Sequence, residues 1–104
     1  MTKKERQAVV NNKVMHALEL WNEGNALRTV RLNRCKASIV ELDNNCRALL
    51  SYGTLVALFD EENGEFYDAL RYTYGYTTTS AQHIAKFRNL LRPLITTEYR
   101  YYHI

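Results

Sequence analysis

Three histidines and two cysteines are the side chains of this 104-residue chain best suited to proton transfer, metal binding or nucleophilic attack. His16, His83 and His103 are scattered, with no carboxylate at a recognisable catalytic interval. Cys35 and Cys46 are 11 positions apart, which is not the spacing of a metal-binding cysteine pair and is too sparse for a disulfide framework. That separation lets them face each other on neighbouring strands, or serve as small buried apolar residues in a reducing compartment. A Cys46–His83 thiol–imidazole pair is the chemistry they would support together, but Cys46 stands in an apolar stretch. His83 falls one helical turn before Phe87, where a partly buried imidazole can bond to a sheet or to Thr78. There is no Gly-rich phosphate loop, nucleophile elbow or His-Glu-x-x-His. The expectation is a protein without catalytic residues, metal or cofactor.

Binding chemistry is better represented. The run Thr77-Thr78-Thr79-Ser80 precedes a helical pattern, and free N–H groups with hydroxyls at a helix start can hold an anion. The same hydroxyls also serve simply to cap the helix. Arg71, Tyr72, Tyr74 and Tyr76 interleave a cation with aromatic rings, as single-strand nucleic-acid binders do. Tyr99, Arg100, Tyr101 and Tyr102 repeat the mixture. Eight tyrosines are many for a chain of this size, and tyrosine suits protein interfaces as well as bases. The acidic turn Asp60-Glu61-Glu62 lies close by in sequence and would repel phosphates, which favours a protein partner. Arg71, Tyr72, Tyr74, Tyr76, Asp60, Glu61, Glu62, Tyr99, Arg100, Tyr101 and Tyr102 are therefore the expected contact residues. If the partner is nucleic acid instead, Arg28, Arg31, Arg34, Lys86, Arg88 and Arg92 are the expected set.

These residues need elements to position them. Thr2 and Glu5 have capping-box spacing, and Val10, Val14, Ala17, Leu18 and Trp21 recur at helical intervals before Gly24-Asn25. A helix over residues 1–24 follows, its stripe directed at a core. Residues 26–34 suit either a connector or an edge strand. Residues 36–75 read as an antiparallel meander of about four strands. Asp43-Asn44-Asn45 marks one turn and Asn63-Gly64 another, while Gly53 permits a bulge or bend. Thr54 to Phe59 is apolar on both sides, as in a central strand covered on both faces. Residues 65–74 alternate and continue the meander. Thr79 and Gln82 have the spacing of a second capping box, opening a helix over residues 79–92 with Ile84, Phe87 and Leu91 inward. Pro93 stops it. Residues 94–104 form an aromatic tail, either a last edge strand or an ordered arm. The expected fold is α+β in one domain, with the C-terminal helix packed on the sheet.

An apolar fraction of 46% supports one core. No run approaches the length of a membrane span. Met1-Thr2-Lys3-Lys4-Glu5-Arg6 is basic, but no apolar stretch follows it as in a secretory signal, so a cytoplasmic location is expected. The net charge of +3 is unevenly spread. Residues 1–36 carry eight Lys/Arg and three acids, residues 37–70 one Arg and seven acids, and residues 71–104 five basic groups and one acid. A basic–acidic–basic chain can steer a charged partner.

The segment from Ala37 to Phe87 resembles a group of small proteins of bacteriophages and mobile elements. The likeness lies in Ser51-Tyr52-Gly53-Thr54-Leu55-Val56-Ala57 and in Tyr76-Thr77-Thr78-Thr79-Ser80-Ala81-Gln82-His83-Ile84-Ala85-Lys86-Phe87. Thr77 stands where the group usually has serine. The resemblance covers about half the chain and implies a phage or mobile-element origin in a bacterial host cell, without an established activity or site. By analogy with small phage accessory proteins, the expectation is a non-catalytic inhibitor that occludes a bacterial protein or ribonucleoprotein complex, such as a CRISPR effector. A nucleic-acid-binding regulator is the alternative. An exposed edge strand or the tail could also pair two chains into a homodimer.

Overall fold

The computed structural model describes residues 2–24, 26–32, 36–70 and 78–100. Helix α1 spans Lys3–Asn22, and the Thr2 hydroxyl caps it by accepting the Glu5 N–H at 3.2 Å. Val10, Val14 and Ala17 are buried, with Leu18 and Trp21 packed beside them, so the helical stripe faces the core.

Six strands follow in one sheet: β1 Ala26–Arg31, β2 Ala37–Leu42, β3 Cys46–Ser51, β4 Thr54–Asp60, β5 Glu65–Asp68 and β6 Thr97–Arg100. Their spatial order is the sequence order, so β1 and β6 are the edges among the described residues. The first five pair antiparallel. β6 runs parallel to β5, a pairing that requires a crossover. Helix α2, Thr78–Leu91, lies within that crossover, followed by a 3-10 turn over Arg92–Leu94.

The fold is α+β, and the helices take opposite faces of the sheet. On the α1 side, Val10, Val14 and Ala17 meet Val40, Leu42, Ala48, Leu50, Leu55 and Leu58. On the α2 side, Ile84, Phe87 and Leu91 meet Leu49, Val56, Ala57, Phe59 and Phe66. β4 supplies both cores, which is why its sequence is apolar on both sides. The register slips between Leu49 and Leu50, whose partners are Ala57 and Leu55, leaving Val56 as a bulge. The bulge puts Val56 and Ala57 on the same side.

Among the described residues, 36–75 hold the four strands expected of the meander, β2 to β5, and the two segments left open take their edge-strand alternative as β1 and β6. Other expectations need correction. The strand expected over 65–74 ends at Asp68. The Asp68 carboxylate accepts the Leu70 N–H at 3.3 Å, a local turn that competes with the ladder, and Leu70 is already helical. Of the bulge or bend open to Gly53 the chain takes the bend: Tyr52 (φ +52°) and Gly53 (φ +80°) make a two-residue turn between the paired Ser51 and Thr54. The capping box expected at Thr79–Gln82 is not formed, since Thr79 lies inside the first turn of α2. No helix among the described residues is long and apolar enough to cross a membrane.

Candidate functional site

Two buried polar clusters lie among the described residues, one on each side of the sheet. The first joins β3 to α2. Ser51 Oγ lies 2.9 Å from Ser80 Oγ and 2.8 Å from His83 Nδ1. The tight Tyr52-Gly53 turn holds Ser51 at the end of its strand, and Ser80 and His83 share a helical face through their spacing of three. Burial first, and the Lys86 charge second, hold the His83 imidazole below its ordinary value. The neutral ring closes a chain of hydrogen bonds with the two hydroxyls, and the Tyr52 ring packs at 5.8 Å from it. A serine beside a histidine resembles a nucleophile and its base, but Ser51 has no exposed surface and His83 is 4% exposed. Buried in this way, the cluster bolts the hairpin to the helix.

The second cluster lies under α1. Asp60 takes hydrogen bonds from the N–H groups of Glu62 and Asn63, from the Asn63 amide at 2.9 Å and from Lys13 Nζ at 3.2 Å. Burial works to raise the Asp60 carboxyl, and the bonds from Asn63 and Lys13 outweigh it, leaving it below the usual 3.8. Lys13 lies 5.9 Å from the centre of the Tyr67 ring, which stacks on Tyr99 at 5.0 Å. Burial, then Glu65, pushes the Tyr67 phenol up. Burial, then Asp60, pushes the Cys46 thiol up to about 11, so it is an unreactive thiol at neutral pH. Cys46 belongs to the α1-side core and His83 to α2, so the sheet separates them and no thiol–imidazole pair exists.

Of the expected contact residues, Asp60 is therefore a structural anchor, 4% exposed. Glu61 pairs with Arg47, and Glu62 is exposed, its backbone N–H held by Asp60. Tyr99 is half-buried in its stack. Arg100 lies in β6, on the sheet edge. Arg71, Tyr72, Tyr74, Tyr76, Tyr101 and Tyr102, as well as Arg34 and Cys35, lie outside the described residues. In the basic set, Arg88 is internal: it pairs with Glu98 at 3.0 Å and Asp68 at 3.7 Å, over the Phe66 ring at 5.2 Å. Lys86, on α2, and Arg92, in the 3-10 turn, are exposed. The anion site expected over Thr77–Ser80 loses Ser80, whose hydroxyl points inward to Ser51. Among the described residues, no group of three His, Cys, Asp or Glu side chains converges as metal ligands would.

What remains exposed and concentrated is β1. Every residue from Leu27 to Arg31 is exposed, Leu27 to 71% and Val30 to 40%. Arg28 and Arg31 stand on opposite faces of this edge, beside Glu41 and Ser38 of β2 respectively.

Sequence reasoning missed Lys13 and the Ser51–Ser80 bond. Lys13 is a polar position beside the apolar stripe of α1, and its reach to Asp60 crosses 47 positions of chain. Ser80 and His83 carried a weak signal, two polar residues on the inward face of a helix. Comparison with protein-family models, curated proteins and solved structures finds no match.

Proposed function

We propose that this chain is a non-catalytic interaction protein that inhibits a bacterial defence complex, of the CRISPR effector kind, by binding and occluding it. The observation that supports binding is β1, a sheet edge exposed along its length that combines two arginines with Leu27 and Val30. Long, apolar, unprotected edges invite pairing with another chain. The choice of target follows from the resemblance of residues 51–57 and 76–87 to phage and mobile-element proteins. His83 is held in internal bonds with Ser51, which is in keeping with a structural part for that imidazole. The experiment adds purified chain to purified effector complexes and follows target cleavage and co-elution. Stoichiometric loss of cleavage, relieved by Arg28→Glu with Arg31→Glu, is expected. Full cleavage at saturating protein without co-elution rejects the proposal.

The second reading, a nucleic-acid-binding regulator, draws support from the exposure of Arg28, Arg31, Lys86 and Arg92. Its signature is an affinity that falls steeply with salt. No gel shift at low salt removes it.

A further inference from the structure

The backbone of β1 narrows the kind of partner. The Leu32 N–H donates to the Ala37 carbonyl at 2.9 Å, toward β2. An antiparallel ladder alternates inward and outward residues, so Val30, paired with Ile39, also faces β2. Thr29 and Arg31 then turn both N–H and C=O away from the sheet, where no described strand meets them. An occupant of this edge must supply acceptors and donors in alternation. A phosphate backbone supplies acceptors alone, whereas an extended peptide supplies both.

The side chains state what that peptide carries. Arg31 stands on the α1 side of the sheet beside Ser38, and Arg28 on the α2 side beside Glu41, with Val30 on the α2 side. A second copy of this strand would bring its own two arginines to the same short ladder, in some registers directly opposite them. Like charges directly opposite destabilise a pair. We propose that β1 accepts an acidic extended strand from another protein by β-augmentation. In the antiparallel sense that strand reads acid–apolar–x–acid, opposite Arg31, Val30, Thr29 and Arg28. Glu41 already offsets part of the Arg28 charge, so Arg31 sets most of the charge preference.

This inference rests on the reading of the chain as an interaction protein, and its test separates the two. The probe is a short, terminally capped peptide containing Glu-Val-Thr-Asp, compared with Lys-Val-Thr-Lys and with an oligothymidylate. Binding is read by amide chemical shifts of the full chain. The acidic peptide should shift and protect the Thr29 and Arg31 amides. Arg31→Glu should weaken it by about tenfold or more, with Arg28→Glu weaker in effect. Thr29→Pro removes an outward donor while sparing the bonds to β2, and should abolish the shifts. Circular dichroism and thermal melts confirm that each variant folds. Equal binding of the basic peptide, binding of the oligothymidylate alone, self-association through β1, or no shift at β1 overturns the inference. If an effector complex is still bound in the last case, the interaction reading survives and the strand-addition mode fails.

Discussion

Ser51 shows how one small hydroxyl organises two elements. It meets both Ser80 and His83 in a buried site, where each unmade hydrogen bond costs the desolvation of its group. Ser51→Ala takes from buried His83 Nδ1 its bond to the Ser51 hydroxyl and should destabilise the chain by about 1–3 kcal/mol, measured by denaturant unfolding. His83 adds a pH dependence. Burial and Lys86 keep the folded imidazole below 6.5, so as the pH falls below 6.5 the unfolded chain takes up a proton that the folded chain refuses. Stability should decline there and level off once the pH passes the folded value. His83→Gln should flatten that part of the curve in unfolding experiments across a pH series. An unchanged slope would mean that His83 is not held neutral by its surroundings.

Elements meet through a few backbone contacts. The turn from Glu61 to Gly64 joins β4 to β5 and also receives the chain leading into β6. Gly64 has φ +68°, and its carbonyl accepts the Thr96 N–H at 2.7 Å. A Cβ on Gly64 would lie 2.9 Å from both the Leu94 carbonyl oxygen and the Thr96 hydroxyl. Gly64→Ala should therefore cost roughly 1–3 kcal/mol of stability in backbone strain before the crowding is counted. Its damage should appear as faster amide exchange in Thr97–Arg100. Asp60 anchors the other side of the same turn by accepting from Asn63 and Lys13. The Asn63-Gly64 signal was legible in sequence as a turn, whereas its docking against Leu94 and Thr96 depends on contacts some 30 positions away.

At the scale of the whole molecule, a single sheet divides two apolar cores, and β4 serves both. The amides of Leu55 to Phe59 should exchange slowest, being covered on both faces and flanked by β3 and β5, while Thr29 and Arg31 on the outer edge exchange fastest. Phe87 has no exposed surface at the centre of the α2 core, and Phe87→Ala should cost about 3–5 kcal/mol. The sequence alone determined the local elements: the Thr2-capped helix, the Asn45 and Gly64 turns, the doubly apolar β4, and the inward stripe of Ile84, Phe87 and Leu91. Those follow from propensity, period and turn chemistry, which act over a few residues. Tertiary structure decided which elements meet. It placed α1 and α2 on opposite faces, paired β6 parallel with β5, turned Asp60, Arg88 and Ser80 inward, and left Arg28 and Arg31 on an open edge. Each of these depends on partners far away in the chain, and the side-chain type does not reveal whether a charge will find one.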